Sequence, residues 1–307
     1  MPPQTNETLL QTSGTTRPRL GAGSALLAYA ALLLGMFTIG FGSQQRGVVA
    51  GLWITEALAI ALPAVIALRA AGLRFPAYLG LRAPRWQHLL GALVLGLLNQ
   101  PVVSFLTWAS QQSLPTGMVQ AFEAQQRMLD AIFAQNAGPM LVTVVIAAPL
   151  GEELFFRGFA LPALQRSLGV LGAVLLSGAL FSLLHMNAVG FLGLMEIGVL
   201  LAALRHWSGS LWTAIAGHAV NNGIAGAAFM LGWEDPQQPT PAWVLALGAA
   251  LSCAGVWLLF KTLAKPSPAP ALEEPAAEPG AARAAPLAAV WALSVAAGAA
   301  LLLGVHL

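Results

Sequence analysis

Charge is what this chain has least of. Only 8% of its 307 residues are Asp, Glu, Lys or Arg, against roughly 25% in an ordinary soluble domain. Hydrophobic residues make up 57% and the mean hydropathy is +0.74, which excludes a water-soluble globule. The charges nearly cancel, fourteen Lys plus Arg against twelve Asp plus Glu, so there is no basic face to serve a nucleic-acid partner. Cysteine is all but absent. The lone Cys253 excludes a disulfide within the chain and any Cys-based zinc cluster.

What is present is a series of apolar runs near the roughly 20 residues that a helix needs to cross a bilayer. Nine are predicted, at 21–42, 48–68, 87–108, 139–160, 168–188, 189–204, 209–231, 242–263 and 287–306. The expected architecture is an all-α polytopic bundle integral to the membrane, with about eight core helices and one extra, peripheral C-terminal helix. Residues 1–20 read as a polar tail, and 21–138 as N-terminal helices ending in a long connection. The core follows at 139–231 and the eighth helix within 232–263. A Pro/Ala-rich linker at 264–286 precedes the last segment, 287–307. In the connection 109–138, Met118, Phe122, Met128, Leu129 and Phe133 alternate with polar residues, as in an interfacial amphipathic helix, although a solvated loop fits equally.

Loop charges test the count, because Lys and Arg concentrate on the cytoplasmic side. The N-terminal tail and alternate loops carry Arg17, Arg19, Arg69, Arg74, Arg82, Arg85, Arg166, Arg205, Lys261, Lys265 and Arg283, and the opposite loops only Arg46 and Arg127. The bias predicts a cytoplasmic N-terminus and, with an odd number of spans, places His306 outside. Arginine far outnumbers lysine and alanine is abundant, a composition suggesting a GC-rich bacterium and hence its cytoplasmic membrane.

An ionisable side chain at mid-bilayer costs on the order of 2.5–3.5 kcal/mol on insertion scales, so each one needs a reason. The spans hold Glu56, Glu152, Glu153, Arg157, His185, Glu196 and His218, with Asn99, Gln100, Asn187, Asn221 and Asn222 as neutral additions. Most fall between 139 and 231, as expected of a polar site inside a bundle. Side chains three or four apart share a helix face. In PLGEELFFRG, Glu153 and Arg157 can therefore pair, leaving Glu152, about 100° away, free to work. In FSLLH, Phe181 lies one turn below His185, and in HAVNN, His218 and Asn222 project together while Asn221 faces elsewhere.

A carboxylate in an apolar setting can take a proton from water, and a neighbouring imidazole can share that task. A second imidazole and an amide can donate to the oxyanion that forms on an attacked carbonyl. These are the parts of a peptide hydrolase. Glu152, His185 and His218 would equally make a His₂Glu zinc set with metal-bound water attacking, and spacing does not choose between the two. The signatures HExxH, GxGD and GxSG are missing, which removes the site-2, presenilin-like and rhomboid-like kinds of intramembrane proteolysis.

EELFFR (152–157), FSLLH (181–185) and HAVNN (218–222) resemble the EExxxR, FxxxH and HxxxN motifs of the CPBP family, in the family's order. That is the CAAX-protease and bacteriocin-processing family of intramembrane proteases, also called Abi, which includes the type II CAAX prenyl endopeptidases. The resemblance covers about 139–231. It implies an endopeptidase in which Glu152 and His185 activate water and His218 and Asn222 stabilise the oxyanion. Glu153, Arg157 and Phe181 would orient them. The substrate would be a membrane or lipidated peptide or protein. Families of this kind are also labelled metalloproteases, which keeps zinc open.

Two further readings are a non-proteolytic, immunity-type membrane partner of the same fold, and a transporter. The transporter lacks the expected pair of broken helices in matching halves. Glu56 and Glu196 read as interhelical glue, Asn99 and Gln100 as caps for carbonyls freed by Pro101, and His88 as solvated. Counted along the spans, His185 lies nearer the outer face than Glu152 and His218 by roughly 10 Å.

Overall fold

The computed structural model describes residues 20–231, 240–262 and 280–303, and among these every element is helical. The chain opens with α1 (Ala22–Gln44) and α2 (Val48–Ala70), each widened mid-way by a π-helical stretch, Met36–Gly40 and Thr55–Ala61. The short α3 (Phe75–Leu79) leads to α4 (Trp86–Leu98) and α5 (Gln100–Ser113), two halves of one span meeting at Asn99 beside Pro101. Next come α6 (Thr116–Val142), a π-helical stretch Thr143–Ala147, α7 (Ala148–Glu153), a second stretch Leu154–Ala160, and α8 (Leu161–Leu184). The remainder is α9 (Phe191–Ser208), α10 (Leu211–Leu231), α11 (Ala242–Thr262) and α12 (Gly280–Leu302).

Seven helical runs are long and apolar enough to cross a membrane, against the nine expected. The difference has two sources. Residues 116–184 run on as one helical stretch, turned at Asn136 and at Gly169 (φ 69°), so two expected spans merge. The other source is α10, which is helical but is diluted by His218, Asn221 and Asn222 and is absent from the seven. The connection 109–138 is helical except at Leu114 and Pro115, with Met118 and Met128 exposed and Phe133 on Phe229 at 5.2 Å. The linker is shorter than expected at its far end, because helix begins at Gly280 instead of 287. Its residues 264–279, residue 263 before it, the tail 1–19 and His306 lie outside the described residues.

Close helix contacts in lipid need small residues, since apolar burial alone cannot hold helices together there. At Gly198, a β-carbon would lie 2.8 Å from Gly178 Cα, which brings α8 and α9 together as a hairpin. At Gly96, one would lie 2.7 Å from Gly217 O, which seats α10 on α4. The last helix is peripheral, as expected. It rests on α1 and α2, with Gly298 meeting Thr38 and Gly42. At the end of the bundle near α3, Gly80 (φ 70°) and Gly209 (φ 66°) make left-handed turns that mould around Arg205 and Arg82. Leu211 N donates to Gly80 O at 2.9 Å, and Arg82 Nε to Gly209 O at 3.0 Å. These contacts fix where α10 starts, and so where His218 sits.

Candidate active site

The fourth π-helical stretch, Leu154–Ala160, with α7, carries the densest buried cluster. Phe155, Phe156, Phe159 and Arg157 are all inaccessible, as is Glu153. Arg157 Nη1 donates to Glu153 Oε1 at 2.6 Å, as their spacing predicts, and Nη2 donates to Gly198 O at 2.8 Å. The guanidinium also stacks 4.5 Å from the Phe181 ring. A guanidinium buried this completely needs a carboxylate and further acceptors to offset its desolvation, and α7, α8 and α9 together provide them.

His218 reaches this cluster from α10. Its Nδ1 lies 2.9 Å from Glu153 Oε1. Glu153 is a carboxylate already accepting from Arg157, so the imidazole is the donor and Nδ1 bears the hydrogen. Nε2 then faces Glu152 Oε2 at 3.7 Å. His185 enters from the end of α8, with Nδ1 3.0 Å from Phe181 O. A carbonyl can only accept, so Nδ1 again bears the hydrogen, and Nε2 faces Glu152 Oε1 at 4.0 Å. Phe181 is the shared platform, its ring centroid 5.0 Å from that of His185 and 5.6 Å from that of His218.

Glu152, Glu153, Arg157, Phe181, His185 and His218 are thus brought together. The depth mismatch expected for His185 disappears because the fifth span is short. After the Gly169 turn, helix covers only residues 170–184, about 22 Å at 1.5 Å per residue. His185 caps it, followed by Met186 in the left-handed region (φ 49°) and Asn187, whose Oδ1 accepts from Gly190 N at 2.8 Å. The α8–α9 turn therefore lies level with Glu152. Glu152 is nearly buried while the His185 side chain is 32% exposed, so the site opens on the His185 side.

Asn222 is one turn beyond His218, where its Nδ2 donates to Val144 O at 2.9 Å. Neighbouring Asn221 faces another way, as expected, and joins a polar knot. Gln100 Nε2 donates to Asn221 O and Oδ1, both at 3.0 Å. The Asn99 amide lies 3.1 Å from Asn221 Oδ1 and 2.8 Å from Glu196 Oε2. Asn99 and Gln100 therefore do not cap carbonyls freed by Pro101. They tie the α4–α5 joint to α9 and α10, and Glu196 has a partner that spacing could not name. His88 is buried, at 1% exposure, and is not solvated. The bond from His218 to Glu153 was missed because nothing local in HAVNN reveals which glutamate of a pair on another helix it meets.

For a zinc ion the donors would have to converge on one point. Among the described residues no three His, Cys, Asp or Glu side chains are gathered in that way. His185 and His218 face different oxygens of Glu152, at 4.0 and 3.7 Å.

Residues 134–224 match the family model described as Rce1-like, that of the type II CAAX prenyl endopeptidases, and the match contains all three motifs. No curated protein and no solved structure matches the chain. The chain is therefore similar to that family over residues 134–224, which lie within a multi-pass bundle of apolar helices.

Proposed function

With the Rce1-like segment as premise, we propose that this protein is an intramembrane endopeptidase in which side chains activate the attacking water. The observation that carries this is the setting of Glu152, one carboxylate facing the Nε2 atoms of two imidazoles whose Nδ1 hydrogens are committed elsewhere. Neutral His185 presents a lone pair 4.0 Å from Glu152 Oε1. A water about 2.8 Å from each subtends roughly 90° between them, so both can accept its hydrogens. Its oxygen attacks the scissile carbonyl carbon as a C–O bond forms, and Glu152 or His185 takes the proton.

The oxyanion is stabilised by His218 and by the second Nδ2 hydrogen of Asn222, the first being given to Val144 O. For His218 to donate from Nε2 its ring carries both hydrogens, and Glu152 and Glu153 flank that cation on either side. Collapse breaks the C–N bond and returns the proton to the leaving amine. Arg157 and Glu153 hold His218 in place. The substrate is a peptide of a membrane or lipidated protein, approaching in the bilayer from the open His185 side.

The test uses purified protein in lipid nanodiscs with a farnesylated CAAX peptide as probe, together with comparison of new peptide termini in membranes expressing wild type or Glu152→Gln. Glu152→Gln and His185→Ala each lower turnover by about 100-fold or more, as removal of a general base does, while both proteins insert. Chelator treatment with metal analysis leaves turnover unchanged. Activity that falls on chelation and returns with zinc overturns the side-chain mechanism. A wild-type protein that generates no new termini supports the non-proteolytic partner instead.

A further inference from the structure

Glu196 is a carboxyl of the bundle that the mechanism above leaves unused, and a series of side-chain amides links it to Asn222. It stands on α9, with Oε2 2.8 Å and Oε1 3.2 Å from one atom of the Asn99 amide. The other atom of that amide lies 3.1 Å from Asn221 Oδ1. Gln100 Nε2 reaches the same Oδ1, and Asn221 Nδ2 lies 3.4 Å from Asn222 Oδ1. Asn99 itself is inaccessible to solvent.

The oxygen and nitrogen of an amide are told apart by what each faces. Two backbone carbonyls, which only accept, decide the directions here. Val144 O, 2.9 Å from the Asn222 amide, makes the near atom Nδ2 and leaves Oδ1 to accept from Asn221. Asn221 O, 3.0 Å from the Gln100 amide, makes that atom Nε2, so the side-chain atom of Asn221 that is also 3.0 Å from it is Oδ1. Both ends agree on which way Asn221 stands. The Asn99 atom facing Asn221 Oδ1 is then Nδ2, and Asn99 Oδ1 faces Glu196 Oε2 at 2.8 Å. Two oxygens that close need a hydrogen between them, and only Glu196 can carry it. Turning Asn99 over would give an ionised Glu196 a donor, but would set the Asn99 oxygen against Asn221 Oδ1.

Among the described residues, no cation pairs with Glu196. Of the elements packed on α9, α5 has no ionisable side chain. Arg157 and His218 are engaged with Glu153, and Arg166 of α8 donates to Leu20 O. His88 is on the first turn of α4, about 16 Å of helix before Asn99. His185 faces Glu152, and Arg205 and His206 are in the last turn of α9. A carboxylate with no counter-ion is costly inside a bundle in lipid.

We propose that Glu196 is a neutral carboxylic acid at the head of a one-way hydrogen-bond chain, from Glu196 to Asn99 to Asn221 to Asn222, that fixes which way round the Asn222 amide stands. Every donor in the chain points toward Asn222, whose own Nδ2 is thereby kept for Val144 O and the reacting carbonyl. Glu196 is a positioning residue that acts through Asn99 and Asn221. That role rests on Asn222 being the oxyanion donor of the proposed reaction, whereas the proton on Glu196 does not.

The experiment is infrared spectroscopy of the purified full chain in nanodiscs, labelled with carbon-13 at glutamate, so that carboxylic-acid carbonyl bands can be assigned. At neutral pH the wild type shows an acid band that Glu196→Gln removes. In Asn99→Leu that band moves to higher frequency, because the acid has lost its acceptor. The second comparison keeps Glu196 itself intact, so it stands if Glu196→Gln folds poorly. No acid band lost in Glu196→Gln, or an acid band that is present in Asn99→Leu and absent from the wild type, overturns the proposal. Neither readout requires turnover, so failure of the protease assignment is registered separately by the CAAX probe. If the probe is cleaved, Glu196→Met, which has no donor, lowers kcat about tenfold at unchanged KM, and Glu196→Gln, whose amide can still donate to Asn99, restores part of the loss. Equal kcat in Glu196→Met and wild type would overturn the positioning role.

Discussion

Replacing Arg157 by methionine tests whether the buried ion pair is the keystone of the site. The substitution keeps an unbranched apolar stem but removes the guanidinium and its charge from a fully buried position. It leaves Glu153, also inaccessible, with His218 as its one remaining partner, and breaking a buried pair by deleting one member costs about 3–5 kcal/mol. Gly198 O loses its donor, about 1–3 kcal/mol, and Phe181 loses its stacked cation, about 1–2 kcal/mol. These losses share one group and do not add fully. A total of roughly 5 kcal/mol is expected, a large part of the 5–15 kcal/mol by which folded proteins are stable.

The assay is reversible denaturation in mixed micelles, followed by Trp fluorescence. Removing both charges should be gentler than removing one, so Glu153→Leu with Arg157→Met should recover about 2 kcal/mol of stability relative to Arg157→Met alone. The double variant still lacks the acceptor for His218 Nδ1 and stays inactive. Arg157→Met within 1 kcal/mol of wild type, or a double variant no more stable than the single, would refute the reasoning.

Gly209→Ala places a side chain in the left-handed region and against Arg82, loosening the start of α10. A loss of about 1–3 kcal/mol with lower turnover is expected in the same assays. Gly96→Leu should separate α4 from α10, seen as a lower melting temperature and lost cleavage, whereas Gly117→Leu, with open space around it, should do neither. Burial pushes the hydroxyl of Tyr78, on α3 outside the membrane spans, up to about 12, partly opposed by Arg166 and Arg205. Because the folded-state value is raised, its stabilisation is present below about pH 10 and is lost as pH rises toward 12. Tyr78→Phe should flatten that alkaline limb in a stability–pH series.

Much of the site could be read from i,i+4 spacing. Glu153 with Arg157 and Phe181 with His185 are contacts within one helical turn, and local helix geometry alone brings them together. The bundle could likewise be read from apolar runs, because a spanning backbone must satisfy its hydrogen bonds within its own helix. The π-helical stretches, the break at Gly169 and the helical start of α12 at Gly280 were not visible. They arise where packing against neighbours overrides the local pattern, and the Gly169 break changed the depth of His185 itself.

The sequence alone determined that the chain is a helical membrane bundle and which acid and imidazoles share it, since hydropathy and helical periodicity are local properties. Only the tertiary structure decided what meets across helices. It placed His218 on Glu153, Asn99 on Glu196, and Glu56 on Gly151 beside Glu152. Those meetings depend on where small residues let helices approach, and each needs the matching surface of a second helix that no single segment contains.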